Sequence, residues 1–479
     1  MDMCAGNTST NTNTNMPDIE ALAKSSRVAA LQLQTATNSD KKKALHAIHR
    51  HLAAHKPEIL AANGQDLQTA KKDANLPSTL VKRLDLNAAG DKFQSMLQGI
   101  LDMAELPDPV GQVTLATQLD KELTLYRMTC PVGVLLVIFE ARPEVVVQVS
   151  CLAIKSGNAV ILKGGKEASH SNQILYKVLS DALAEASIPT IPSSAIQLVS
   201  TREAVSDLLL LDKYIDMAIP RGGYDLVKYV KKHATMPVLG HADGLCALYL
   251  DESATLEKAI PVIIDSKTSY PAACNSAETL LVHKSCLSTT FPSVASALFT
   301  AGVSLRCDES SYNAISSLRQ SQPHDESDNH SVSQITRSIP QDYTTEFLDL
   351  VIAVKTVSSL SEAILHINTH GSHHTDAIIT ESQSNAEEFM KKVDAAGVYW
   401  NASTRFADGF RYGFGAEIGV STSKTHARGP VGLEGLVIYK YRMYGNGQAS
   451  ADYGPHGPRH YLHERIKIDE NLEEKFVLA

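Results

Sequence analysis

The feature that most limits the fold is a rhythm between residues 132 and 223. Short, apolar, β-branched runs recur there: "VGVLLVIF" (132–139), "AVILKGG" (159–165), "AIQLVS" (195–200) and, more weakly, "YIDMAIPRGG" (214–223). Stretches with helical spacing separate them. Strands that are apolar at nearly every position are buried on both faces, and helical crossovers bring successive strands in parallel. The rhythm predicts an α/β, doubly wound domain. A second series predicts a second α/β domain: "LCALYLD" (245–251), "ETLLVH" (278–283), "GVSLRC" (302–307), "LDLVIAVK" (348–355) and "DAIIT" (376–380).

The flanking segments read differently. Residues 17–105 predict helices. In "SDKKKALHAIHRHLAAH", Ser39 is a candidate N-cap, and Leu45, Ile48 and Leu52 share one face. His46, His49, His51 and His55 lie on the same helix, but no carboxylate or cysteine completes a ligand set, so a solvated face is the better reading. "QVTLATQLDKELTLYRMTC" (112–130) alternates around "LDKE" and predicts a hairpin. "GLEGLVIYKYRMYG" (432–445) predicts a strand. Residues 308–341 are rich in Ser, Gln and Asp and predict an inserted, flexible surface loop. Residues 446–479 read as a C-terminal tail.

Composition narrows the function classes. A net charge of −9 without a basic stripe disfavours nucleic acid and anionic membrane surfaces as partners. No apolar run reaches the roughly 20 residues of a membrane helix. The opening "MDMCAGNTSTNTNTNM" lacks the basic-then-apolar pattern of a leader and predicts a disordered tail over 1–16. Cys4, Cys130, Cys151, Cys246, Cys274, Cys286 and Cys307 are odd in number and form no C-x-x-C pair. That suits a reducing, cytoplasmic setting and argues against disulfides or structural zinc.

Three short motifs could carry chemistry. "IPRGGYDLV" and "ILKGGKEAS" each place two glycines between a strand and a helix. Such turns either cradle a phosphate on backbone N–H groups or simply turn tightly. "YPAACNSA" sets Cys274 among small residues just past a helical stretch. On its own it is a reactive thiol or a small buried hydrophobe, the second being commoner.

Longer segments decide between these readings. They are "PVGVLLVIFEARPEVVVQVSCLAIKSGNAVILKGGKEA" (131–168), "IPRGG" (219–223), "PVLGHADGLC" (237–246), "YPAACNSAETLL" (270–281), "VSSLSEAILHINTHGSHHTDAII" (357–379) and "NASTRFADGFRYGFGAEIGVSTSKTHARGPVGLEGLVIYKY" (401–441). Together they resemble the gamma-glutamyl phosphate reductases, a branch of the aldehyde dehydrogenase superfamily. The resemblance implies a Rossmann-like NADP-binding domain (17–111 and 131–247), an α/β catalytic domain (248–431) and a small β oligomerisation extension (112–130 and 432–445). It implies NADPH-dependent reduction of L-glutamyl 5-phosphate to L-glutamate 5-semialdehyde through a cysteine thioester, in a homo-oligomer. Glutamate 5-kinase is a candidate partner.

Residue roles are likewise what the resemblance implies. Cys274 becomes the nucleophile, with Asn275 beside it. Lys163, Gly164, Gly165, Lys166, Arg221, Gly222, Gly223 and Glu417 fall to the cofactor. Arg142, Arg405, His370, His374 and Lys424 fall to the substrate. No metal is expected, because His366 and His370 have no carboxylate between them. Two departures from the superfamily stand out. The oxyanion-binding asparagine is replaced in "FEARP", where Ala141 or Arg142 stands, and "PVLGHADGLC" lacks the water-activating glutamate, offering only His241 and Asp243. A CoA-acylating dehydrogenase and an inactive scaffold on this fold are the alternatives.

Overall fold

The computed structural model describes residues 18–73, 78–88, 92–201, 203–241, 243–316 and 334–469. The expected 1–16 tail lies outside them.

Among the described residues five helices come first, from Ile19–Leu33 to Lys92–Glu105. The second, Asn38–Ala54, buries Leu45, Ile48 and Leu52 as expected. Its N-cap is Thr37, not Ser39. Thr37 Oγ1 accepts from the Asp40 N–H, and the Asp40 carboxylate accepts from the Thr37 N–H, closing a capping box that Ser39 could not form.

A hairpin, β1 (Val113–Asp120) and β2 (Leu123–Pro131), precedes the first parallel sheet. That sheet comprises β3 (Val134–Phe139), β4 (Ala159–Lys163), β5 (Ile196–Val199) and β6 (Met217–Arg221), in the order β5-β4-β3-β6. Every residue of β3 and β4 is buried, which is why both read as unbroken apolar runs. The chain reverses direction across the sheet between β3 and β6. In open α/β sheets ligands bind at such a switch point, beyond the carboxyl ends of the strands.

The second sheet is also wholly parallel. It contains β7 (Cys246–Leu250), β8 (Ala277–His283), β9 (Ser304–Cys307), β10 (Ile335–Arg337), β11 (Val351–Val357), β12 (Thr375–Ile379) and β13 (Gly397–Trp400), ordered β10-β9-β11-β8-β7-β12-β13. The 308–341 segment is therefore not simply a surface loop. Asp308 caps a helix, Glu309–Ile315, and β10 extends the sheet edge. Ile315, Ile335 and Asp342 are buried. Residues 317–333 lie outside the described ones.

The chain closes with β14 (Gly419–Ser421), β15 (Gly429–Val431), β16 (Val437–Tyr444) and β17 (Glu464–Arg465). β16 pairs with β2 and β17 with β1, giving an antiparallel sheet ordered β16-β2-β1-β17. Part of the expected C-terminal tail thus belongs to this extension. Ile466 and Ile468 pack on its small apolar cluster of Val113, Ala116, Tyr126 and Met128.

Candidate active site

Cys274 sits, half-buried, in the loop between helix Leu256–Thr268 and β8. Hydrogen bonds fix this loop from several sides. Asn275 Nδ2 donates to the Ala407 carbonyl at 2.9 Å, and Thr404 Oγ1 donates to the Asn275 carbonyl at 2.7 Å. Ser276 Oγ donates to the Ser266 carbonyl, and Cys246 Sγ to the Cys274 carbonyl, both at 3.3 Å. Beneath the loop, Lys267 Nζ meets Glu278 Oε2 at 2.7 Å, with both side chains sealed from solvent. Burial pushes the lysine down and the carboxyl up, and each partner opposes the other's shift. The pair ties the helix before the loop to the strand after it. Removing one partner of such a pair costs about 3–5 kcal/mol.

The carboxyl ends of the first sheet face this loop through Arg221. The turns after β3, β4 and β6 interlock there. Glu140 Oε2 accepts from the Gly223 N–H at 3.2 Å, and Glu167 Oε1 accepts from the Ala141 N–H. Ala141 itself has φ +49°, in the left-handed region. A Cβ at Gly164 would fall 2.2 Å from Asn172 Nδ2, so that buried side chain would have to shift. Nothing would crowd a Cβ at Gly223, so the space over that turn is open. Lys163 ends β4 with Nζ donating to the Gly164 carbonyl at 2.6 Å, and Lys166 is exposed beyond it.

Arg221 ends β6. Burial lowers its pKa, and Glu417 and Cys274 raise it while Arg142 opposes them. Glu417 is pushed up by burial and drawn down by Arg221, and its Oε2 accepts from the Gly409 N–H at 2.8 Å. Arg405 is also within electrostatic reach of Cys274, and its guanidinium lies 5.9 Å from the Tyr270 ring centroid. Two cations are therefore electrostatically coupled to the thiol, and Arg142 is coupled to the first.

Two histidines complete the neighbourhood. His241 Nδ1 lies 3.0 Å from the Val420 carbonyl, and burial lowers the pKa of the ring. A carbonyl only accepts, so Nδ1 carries the hydrogen and Nε2 keeps its lone pair. His374 is fully buried and meets His241 edge to face, with ring centroids 5.0 Å apart.

Two other expected residues are engaged with partners of their own. His370 stacks on His366 at 4.3 Å between centroids rather than joining His374. Lys424 is exposed and paired with Asp394 at 2.8 Å. One group escaped the sequence reading. Glu346 Oε1 accepts from the Gly244 N–H at 3.0 Å and is electrostatically coupled to His241, so a glutamate reaches the "PVLGHADGLC" segment from a distant part of the chain. No local motif marks it.

The chain matches the aldehyde dehydrogenase family profile over residues 6–320. The gamma-glutamyl phosphate reductase of Saccharomyces cerevisiae is 48% identical over 465 residues, spanning 95% of this chain and 99% of its own length. The chain belongs to the gamma-glutamyl phosphate reductases. Among solved structures, the reductase of Thermotoga maritima superposes with a TM-score of 0.83 at 37% identity, covering 90% of this chain and all of its own. An acetylating aldehyde dehydrogenase from Geobacillus thermoglucosidasius shares the fold, at a TM-score of 0.62 and 18% identity, over 90% of this chain and 97% of its own. That likeness carries the architecture and nothing more.

Proposed function

We propose that this member of the reductase family converts L-glutamyl 5-phosphate to L-glutamate 5-semialdehyde with NADPH, releasing phosphate, in the second step of proline biosynthesis from glutamate. The observation that carries the mechanism is the Cys274 loop, held beside Arg221 and His241 at the carboxyl edge of the first sheet. The thiolate attacks the acyl carbon and a thioester forms as phosphate leaves. The free Nε2 of His241 accepts the thiol proton. Arg221, Arg405 and Arg142 supply positive charge for the phosphate and the substrate carboxylate. The Cys274 backbone N–H is the oxyanion donor, since the Ala141 N–H is already engaged by Glu167.

NADPH, when bound, supplies the hydride that reduces the acyl group. The donor set suits it: Lys163 and Lys166 flank the end of β4, and Gly222–Gly223 open helix Tyr224–His233 at the switch point. Among the described residues no helix is long and apolar enough to cross a membrane. We place the enzyme in the cytoplasm and read the edge strand β16, where Ile438, Tyr439, Tyr441 and Met443 are exposed beside Lys440 and Arg442, as the seam of a homo-oligomer.

The test runs the reaction backwards. The semialdehyde and NADP⁺ should give sustained NADPH only with phosphate or arsenate, and Cys274→Ala should abolish turnover with the fold intact. Turnover with CoA in place of phosphate would favour the acylating alternative. Sustained turnover without any acceptor would mean that Glu346 or His241 activates water.

A further inference from the structure

We propose that Cys274, His241 and His374 form a zinc site that caps the nucleophile and switches the enzyme off reversibly. One ligand atom from each residue lies within 4.8 Å of the other two. Tetrahedral zinc with bonds of about 2.0–2.3 Å sets such atoms roughly 3.4–3.7 Å apart. Closing the set therefore takes about 1 Å of side-chain movement.

The two imidazoles are prepared for ligation. Each has its Nδ1 engaged: His241 with the Val420 carbonyl at 3.0 Å, His374 with Thr375 Oγ1 at 2.9 Å. A hydrogen bond at the far nitrogen is the arrangement that orients metal-ligating histidines. His374 Nε2 is buried and has no hydrogen-bond partner. An orphaned polar atom in a core is costly, and a metal ion would satisfy it.

The donor set selects the ion. One thiolate and two imidazoles, with no carboxylate among the ligands, suit zinc rather than magnesium or calcium. Arg221 opposes a dication here, and Glu417 and Glu346 lie in the same electrostatic neighbourhood to offset it. Three protein ligands leave a fourth position for water. On binding, the Zn–S bond forms, the S–H bond breaks and the proton leaves to solvent. The sulfur pair that would attack the acyl carbon is then held by the metal.

The test follows Cys274 itself. Full-length, chelator-treated enzyme is exposed to iodoacetamide over a range of zinc concentrations, and alkylation of the Cys274 peptide is measured by mass spectrometry. Zinc should protect Cys274, and EDTA should remove the protection. His241→Ala should raise the zinc concentration for half-protection at least about tenfold. His374→Asn, chosen because alanine would leave a hole in a buried position, should do the same. Cobalt should give a thiolate-to-metal absorption band that Cys274→Ser removes. No protection at millimolar zinc, equal protection in both histidine variants, or a band that survives Cys274→Ser would each overturn the proposal. None of these readouts depends on the substrate.

Discussion

Gly244→Ala tests how closely catalysis depends on the placement of Cys274. A Cβ at residue 244 would stand 2.0 Å from the Cys274 carbonyl oxygen, 2.5 Å from its Cα and 2.6 Å from its carbonyl carbon. All three are backbone atoms, so no side chain can swing aside. Non-bonded heavy atoms rest at about 3.5–4.0 Å, so the two segments must part by roughly 1–1.5 Å. Neither moves freely. Gly244 is held by Glu346, and the Cys274 carbonyl by Cys246. A misplacement of about 1 Å costs about 100-fold in rate, equivalent to about 2.7 kcal/mol of barrier. We expect kcat for semialdehyde oxidation with phosphate to fall about 100-fold while the melting transition remains cooperative. Gly99→Ala is the control. Gly99 lies inside helix Lys92–Glu105 with nothing within 4 Å of its would-be Cβ, so that variant should gain about 0.5–1 kcal/mol and keep parental activity. A Gly244→Ala enzyme within threefold of the parent would refute the reasoning.

The other predictions concern cofactor choice, acid stability and the 308–341 segment. Lys166→Glu puts a carboxylate where we place the 2′-phosphate, and the NADPH-over-NADH ratio of kcat/KM should fall at least about tenfold; an unchanged ratio would dismiss Lys166. Burial, with His370 and Lys355 beside it, lowers the His366 pKa to about 4. The fold thus favours neutral His366, whereas the unfolded chain binds a proton below about 6.5. This contribution is full above pH 6.5 and drains as pH falls toward 4, by up to about 3 kcal/mol. In urea titrations over that range the parent should therefore lose more stability than His366→Phe, and parallel curves would count against it. Excising 310–338 removes buried Ile315 and Ile335, each worth about 2–5 kcal/mol against a total stability of about 5–15. Soluble yield should collapse, and parental yield with a parental melting temperature would show that this segment does not support the sheet.

The major strands were legible because burial on both faces leaves an unbroken apolar run, as in β3, β4 and β8. β10 was not, since Ile335 is the only buried residue of its three and the neighbouring composition is that of a loop. Strand order could not be read either, because it depends on pairing between distant segments. At the site, local texture brought the Cys274 loop and the glycine turns forward only as candidates, and the longer segments that resemble the reductases assigned their roles. Glu346 was not brought forward, as it acts through one backbone N–H contributed by another segment. Lys424 was chosen on resemblance and charge, neither of which could foretell that Asp394 would hold it. Thr37 could have been found: a hydroxyl three residues before Asp40 is the spacing of a capping box.

The antiparallel extension has a consequence for how the protein is made. β1 and β2 pair locally, but the strands that flank them, β16 and β17, come from the far end of the chain. Roughly 300 residues separate Pro131 from Val437. At about 5–20 residues per second, the ribosome needs about 15–60 seconds to deliver the first flanking strand. Both parallel sheets can be complete by then, while the hairpin still presents two bare ladders to neighbouring nascent chains. A message cut short before codon 437 would thus yield a chain with both sheets folded and two open edges, free to add strands from its copies.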